Sequence, residues 1–149
     1  MATQPATGAL VDPYRAYHFK VEFQGTIEGH FTECSPIGAT VHPIRYREAG
    51  ASQIVRCLPG PIEYHKVTLR YGVTQSRDLW EWFLTAARGK VERRHVSVVL
   101  FDHDGLTEVL RWNLLNSWPS MWRGAPLDTM AREIAIATLE LVYDSLEQA

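Results

Sequence analysis

Lys66-Val67-Thr68-Leu69-Arg70-Tyr71-Gly72-Val73, followed by Ser76-Arg77-Asp78-Leu79-Trp80-Glu81-Trp82-Phe83, is the stretch on which the fold class turns. Val67, Leu69, Tyr71 and Val73 alternate with Lys66, Thr68, Arg70 and Gly72, the period of a half-buried strand. Then the period changes. Ser76 is placed to cap a helix with Asp78 in its first turn, and Leu79, Trp82, Phe83 and Ala86 recur at helical spacing. Gly89 ends it, with Arg88 and Lys90 beside the negative end of the helix dipole. The spacing predicts one helix over about Ser76–Arg88.

Outward from this unit the chain reads as strands. Downstream, Val96, Val98 and Leu100 open one strand, Asp104-Gly105 is a two-residue hairpin signal, and Leu110, Trp112 and Leu114 share a face of the returning strand. Upstream, Tyr17, Phe19, Val21 and Phe23 alternate with His18, Lys20, Glu22 and Gln24, and a second strand runs over about Ile27 to Cys34. Ala39 to Glu48 alternates through Val41, Ile44 and Tyr46, with Pro43 suited to an edge or a bulge. Ala49–Tyr64 holds Gly50, Ser52, Pro59, Gly60 and Pro61 and reads as a long loop, whose Ile54, Val55 and Leu58 imply docking on a surface. Trp118-Pro119 and Trp122 to Pro126 read as an aromatic crossover. Met130 to Glu147 satisfies both the strand and the helix template; it is read as strand to about Tyr143. The expectation is a mainly β fold, barrel- or sandwich-like, with one flanking helix. Residues 1–11 read as a flexible arm and 12–149 as a single domain.

The 149 residues are 46% hydrophobic and 21% charged, with 15 basic against 17 acidic side chains. That composition suits a globular core and gives no basic excess for nucleic acid. The densest basic run, Arg88 to Arg94, is interrupted by Glu92 and reads as a solvated helix exit. No apolar stretch is long enough to span a membrane. Met1 to Val11 is no secretory signal, so the chain is expected to be made in the cytoplasm, with Cys34 and Cys57 as reduced thiols.

Chemistry is sought and not found. His18, His30, His42, His65, His95 and His103 are scattered without metal-ligand spacing. Asp102-His103-Asp104-Gly105 starts like a calcium loop and fails at Leu106 and Thr107. Nucleophile-elbow and phosphate-loop signatures are absent, and Cys57 beside Arg56 has no histidine near it in sequence. No catalytic residue, metal or cofactor is expected. Trp80, Trp82, Trp112, Trp118 and Trp122 read as core, with subunit anchoring as the alternative. Val98/Val99, Leu114/Leu115 and Leu141/Val142 put apolar residues on both faces of strands, so the second face is expected to meet a neighbouring subunit.

Asp12-Pro13-Tyr14-Arg15, Tyr46-Arg47-Glu48, Leu58-Pro59-Gly60 and Leu69 to Thr74 together resemble the tail tube family of contractile phages and phage-tail-like contractile injection systems. So do Leu79-Trp80-Glu81-Trp82, Gly89 to Arg94, Arg111-Trp112-Asn113, Ser117-Trp118-Pro119 and Leu139-Glu140-Leu141, over about Asp12 to Leu146. The resemblance implies a structural inner-tube protein and no enzyme. It implies a homo-hexamer whose rings stack into a hollow tube, protein cargo in the lumen, and a contractile sheath, baseplate or hub and tube-terminator proteins as partners, assembled into a phage-tail-like particle. On this reading Ile54, Val55, Arg56, Leu58 and Pro59 are the ring–ring contact, and Arg77, Glu81, Thr85 and Arg88 are a sheath-facing helix surface. The competing readings are a small-ligand-binding cytosolic β-barrel, an enzyme whose site is not visible in sequence, and a baseplate-proximal or terminator tube paralogue.

Overall fold

A computed structural model describes residues 18–24, 26–27, 31–47, 50, 54–73, 77–130, 132 and 134–149. The expected arm at 1–11 and the cap Ser76 lie outside the described residues. In chain order the elements are β1 (Phe19–Phe23), β2 (Thr26–Ile27), β3 (Phe31–Cys34), β4 (Ala39–Arg47), β5 (Val55–Tyr64), β6 (Val67–Gly72), α1 (Asp78–Ala87), β7 (Arg94–Phe101), β8 (Glu108–Arg123), β9 (Ile136–Val142) and β10 (Ser145–Gln148). Every strand pair is antiparallel. The main sheet runs β2-β1-β7-β8-β9-β6-β3 with β10 also on β8, and β4-β5 forms a separate ribbon. The fold is mainly β and sandwich-like, and among the described residues the sheet is not closed.

The 16-residue β8 belongs to both halves of this sheet. Its first part pairs with β7 and β10, and from Trp118 onward it pairs with β9. Between the two parts the β7 register shifts, and Asn116 takes a positive φ of 54°. Asparagine tolerates that left-handed geometry better than most residues, and a bulge of this kind turns a strand from one sheet into another. The Ser117 hydroxyl, fully buried, donates to the Leu114 carbonyl at 2.9 Å and seals the bend.

Two segments read as loops in the sequence are strands in the structure. The first part of the expected crossover, Trp118 to Arg123, completes β8. Pro119 is buried opposite Leu141, beside a register shift that absorbs the missing N–H donor. The expected long loop Ala49–Tyr64 is, from Val55 onward, strand β5 paired with β4. Pro59 faces Pro43, and Gly60-Pro61 together face His42 across a bulge. A two-stranded ribbon has no third strand to serve, so prolines cost it little ladder bonding. Gly60 is required there: a Cβ on it would stand 2.2 Å from the His42 carbonyl oxygen. Beyond the bulge, His42 Nε2 bonds Glu63 Oε2 at 2.7 Å, and Thr40 Oγ1 bonds His65 Nε2 at 2.7 Å.

The 102–107 hairpin is wider than a two-residue turn. The Asp102 N–H donates to the Thr107 carbonyl at 2.8 Å, and Gly105 supplies a φ of 70°. The Asp104 carboxylate accepts from Leu106 N–H, Thr107 N–H and the Thr107 hydroxyl. These bonds, the Thr107 backbone first, hold its pKa down at about 2. The ambiguous C-terminal stretch is strand, because β9 sits between β6 and β8 and buries Ala137, Leu139 and Leu141 in alternation. After Tyr143 the same direction continues along β8 as β10, which the sequence reading did not separate.

The core lies on the inner face of the bent sheet: Val21, Phe23, Val67, Leu69, Val96, Val98, Leu114, Leu139 and Leu141, closed by Trp82 of α1. Trp82 is 1% exposed, meets Phe23 edge-on at 5.4 Å and donates its indole N–H to the Glu92 carbonyl at 2.7 Å. The helix ends where expected, with Gly89 at φ 79°.

Trp82→Ala should lower folding stability by about 3–5 kcal/mol, read as a shift of the urea midpoint with an unchanged slope. Gly60→Ala should act locally. Amide exchange protection in β4 and β5 is expected to fall while the global unfolding midpoint stays within about 0.5 kcal/mol of the parent; retained protection would show that the ribbon tolerates a side chain there.

Candidate functional site

The ribbon is where the monomer leaves most apolar surface in water. Val41, Ile44, Tyr46, Val55, Leu58 and Ile62 of β4 and β5, with Ile54 at the start of β5, are all 44–65% exposed. They are seven of the thirteen exposed large hydrophobic residues among those described, so the exposure is concentrated and not scattered. Facing residues share a side of the ribbon: Val41 with Ile62, Ile44 with Leu58, Tyr46 with Arg56, Arg47 with Val55. A two-stranded ribbon exposed on both faces is marginal by itself. Full burial of one such side chain is worth about 1.5–3 kcal/mol. The expected contact residues Ile54, Val55, Arg56, Leu58 and Pro59 thus lie along β5 from the end where Arg47 pairs with Val55, all exposed. What the sequence reading missed is the β4 half of the same surface. The alternation Val55-Arg56-Cys57 and Ile62-Glu63-Tyr64 was the available signal, hidden by the prolines between them.

The outward face of β1, β7 and β8 is polar and internally paired. Glu22, Ser97 and Asn113 lie in one row and Lys20, Val99 and Arg111 in the next. Arg111 donates to Glu22 at 3.0 Å and to both oxygens of Glu108 at 2.6 and 2.9 Å. Bonding to Glu108, then to Glu22, fixes Arg111 in its charged form, and Arg111 in turn holds the Glu108 pKa down. Ser97 donates to Asn113 at 2.8 Å. On the other half of the sheet Lys66 pairs with Glu140 at 3.4 Å and Arg70 with Glu33 at 3.2 Å. Val99 is fully buried inside the monomer, in register between Lys20 and Arg111. Long basic side chains cover apolar neighbours with their stems, so Val99 by itself demands no neighbouring subunit.

Glu81 is exposed on α1 and Arg77 and Arg88 at its two caps, and Thr85 is set apart from them. The Thr85 hydroxyl donates to the Trp82 carbonyl at 2.6 Å and accepts from the Glu92 N–H at 3.2 Å, tying the helix to the segment that leads into β7. Trp80 packs on Trp122 with ring centres 4.6 Å apart, and Trp122 donates to the Tyr71 hydroxyl at 2.9 Å. These tryptophans serve internal packing.

Among the described residues no three His, Cys, Asp or Glu side chains gather as a metal site. Burial pushes the Cys34 thiol up to about 11, away from nucleophilic behaviour. Phe19, Cys34, Ile37, Val98, Leu100 and Trp112 line an apolar hollow of about 250 Å³. No described helix is long and apolar enough to cross a membrane.

Comparison with known proteins places this geometry. No curated protein matches the chain in sequence. A chain in the cryo-EM structure of the anti-feeding prophage cap, the AFP tube terminating cap, superposes with TM-score 0.87 at 23% identity, over 100% of this chain and 99% of that one. A chain of the PVC sheath–tube complex, an extracellular contractile injection system in its extended state, gives 0.84 at 22% identity over 99% of both. Hcp1 from Flavobacterium johnsoniae gives 0.60 at 12% identity, over 87% of this chain and 93% of that one. At these identities the likeness is one of fold. The family match is broader evidence, since it runs over residues 15–147, and by it the chain belongs to the T4-like virus tail tube protein gp19 family.

Proposed function

We propose that the chain is the structural inner-tube subunit of a phage-tail-like contractile injection system, and not an enzyme. Copies join through sheet edges into homo-hexameric rings, and rings stack into a hollow tube inside a contractile sheath, with baseplate or hub and terminator proteins at its ends. The chain is made in the cytoplasm and assembled into the particle. The observation that carries the reading is the pairing of family membership over 15–147 with a ribbon that exposes apolar residues on both faces. An unclosed sheet adds free edges, which invite pairing with a second chain. The ribbon, with Ile54, Val55, Arg56, Leu58 and Pro59, is assigned to the ring–ring contact. Modest contacts repeated around a ring make a strong axial joint.

The outward face of β1, β7 and β8 is assigned to the lumen. Its charges are met by partners on the same chain, as at Arg111, Glu22 and Glu108, which suits the passage of protein cargo without tight binding. Arg77, Glu81 and Arg88 are assigned to the sheath side. Exposed charges of this kind contribute about 0–1 kcal/mol per pair, and a contact that must release on contraction needs to be weak. A terminator or baseplate-proximal paralogue is the second reading, favoured by the fold likeness to the tube-terminating cap.

Negative-stain micrographs of the purified chain should show rings or tubes; a monomer at high concentration sinks the reading. Ile44→Asp with Leu58→Asp should leave single rings and remove long tubes. Tubes of parental length in that variant would move the axial joint elsewhere. The reversal Arg77→Glu with Glu81→Arg should weaken co-assembly with the sheath while leaving tubes intact, and undiminished sheath recruitment would move that contact off α1.

A further inference from the structure

Asp104-Gly105 is the one Asp-Gly pair in the chain, and the sequence holds no Asn-Gly. Such a pair is open to backbone rearrangement, because glycine carries no Cβ to shield its amide nitrogen from the side chain before it. The turn itself imposes the glycine. Gly105 takes a φ of 70°, which L side chains rarely adopt. A Cβ there would meet nothing within 4 Å, so conformation and not space selects the residue. The geometry that closes the 102–107 hairpin thus brings a chemical hazard with it.

The hazard is a cyclic imide. The Gly105 nitrogen attacks Cγ of the protonated Asp104 carboxyl, and the N–Cγ bond forms. The amide proton and the carboxyl hydroxyl leave together as water. A water molecule then opens the ring by breaking one of its two carbonyl–nitrogen bonds. Addition at Cγ restores aspartate. Addition at the main-chain carbonyl carbon leaves the chain running through Cβ and Cγ, as isoaspartate. The water lost is regained, so the mass is unchanged and no oxidant or co-reactant is needed.

Attack needs a neutral carboxyl, free to turn, and an unengaged amide nitrogen. The turn opposes each demand. Asp104 Oδ1 accepts from the Leu106 N–H at 2.8 Å and the Thr107 N–H at 2.9 Å, and Oδ2 accepts from the Thr107 hydroxyl at 2.7 Å. Donors aimed at both oxygens favour the ionised form, which is a poor electrophile; they hold the pKa at about 2. They also fix the carboxylate against rotation. The Gly105 N–H donates to the Asp102 carbonyl at 2.8 Å. Asp104 is exposed, so burial does not shield it and the hydrogen bonds carry the protection. Of the three donors on Asp104, the Thr107 hydroxyl is the one that belongs to a side chain.

We propose that Asp104-Gly105 is the site at which this chain forms isoaspartate, and that the Thr107 hydroxyl holds the site closed in the folded protein. Isoaspartate adds one backbone atom between Asp102 and Thr107, whose N–H and carbonyl now bond at 2.8 Å. Glu108 follows directly and accepts from Arg111, so the change reaches the outward face of β7 and β8.

The test holds the full chain at neutral pH and physiological temperature for weeks, folded and in urea. Peptide mapping with electron-transfer fragmentation, which separates the two isomers of equal mass, reads isoaspartate at every Asp and Asn. In urea Asp104 should convert first, and in the folded parent it should convert far more slowly. Thr107→Val keeps the backbone N–H and the side-chain shape. It should speed conversion of the folded chain about tenfold, the factor that one hydrogen bond to a charged group represents. Thr107→Ser should restore the parental rate. Equal rates in the folded and unfolded parent, earlier conversion at another residue in urea, or a parental rate in Thr107→Val each overturn the proposal. Amide exchange across β7 and β8 in the same samples separates the hydroxyl from unfolding. Acceleration that appears only where that protection is lost also overturns it.

Discussion

The bend of β8 at Asn116 and Ser117 is the constraint on which the rest of the structure depends. One strand has to hydrogen-bond with β7 and β10 along its first part and with β9 along its second. A regular strand would carry the sheet straight on and leave its inner face too broad to close. The positive φ at Asn116 and the register shift beside it turn the strand, and the buried Ser117 hydroxyl is satisfied at the turn by the Leu114 carbonyl. Once β8 is bent, Leu114 of the first part and Trp122 of the second both belong to one core, and Trp82 of α1 can close it.

The same bend separates two kinds of surface. The inner face spends its apolar residues on folding, and the outward polar face is satisfied by pairs within the chain, such as Arg111 with Glu22 and Lys66 with Glu140. What is left unsatisfied is concentrated on the β4–β5 ribbon and the β8–β9 connection. The apolar residues left in water thus lie outside the core, where their burial against another surface would be favourable.

The elements most legible in the sequence are those whose side-chain period agrees with their burial. Val67, Leu69 and Tyr71 of β6 and the helix around Trp82 needed only spacing, and the alternation Ala137, Leu139, Leu141 placed β9 once its strand neighbours were known. The misread segments share a physical cause. At Pro59, Pro61 and Pro119 the residues that usually break strands sit at bulges or on a ribbon edge, where the missing donor costs little, and local propensity gives no warning of that. Thr85 shows the converse. Its place on the polar stripe of the helix implied exposure, yet its hydroxyl is claimed by the Trp82 carbonyl and the Glu92 N–H, a tertiary contact no periodicity encodes. The apolar content of the region around Ile54, Val55 and Leu58 was visible; that Val41, Ile44 and Tyr46 form the other half of the same surface follows only from the pairing.

Family membership and the geometry constrain each other. On the proposed tube reading, the chain has to assemble strongly along an axis while its wall and outer surface interact weakly with what moves past them. Hydrophobic burial is non-directional and scales with area, so it serves the first demand when placed on a ribbon separate from the main sheet. Ion pairs at exposed positions contribute little individually, so they serve the second when placed on the sheet face and on α1. The assignments proposed above divide the surfaces in that way: Ile44, Leu58 and Ile62 on the ribbon, Arg111, Glu22 and Ser97 on the sheet, Arg77 and Glu81 on the helix. The prolines of the ribbon fit the same proposal, because Pro43, Pro59 and Pro61 restrict its backbone, and a contact made through it would lose less entropy on forming.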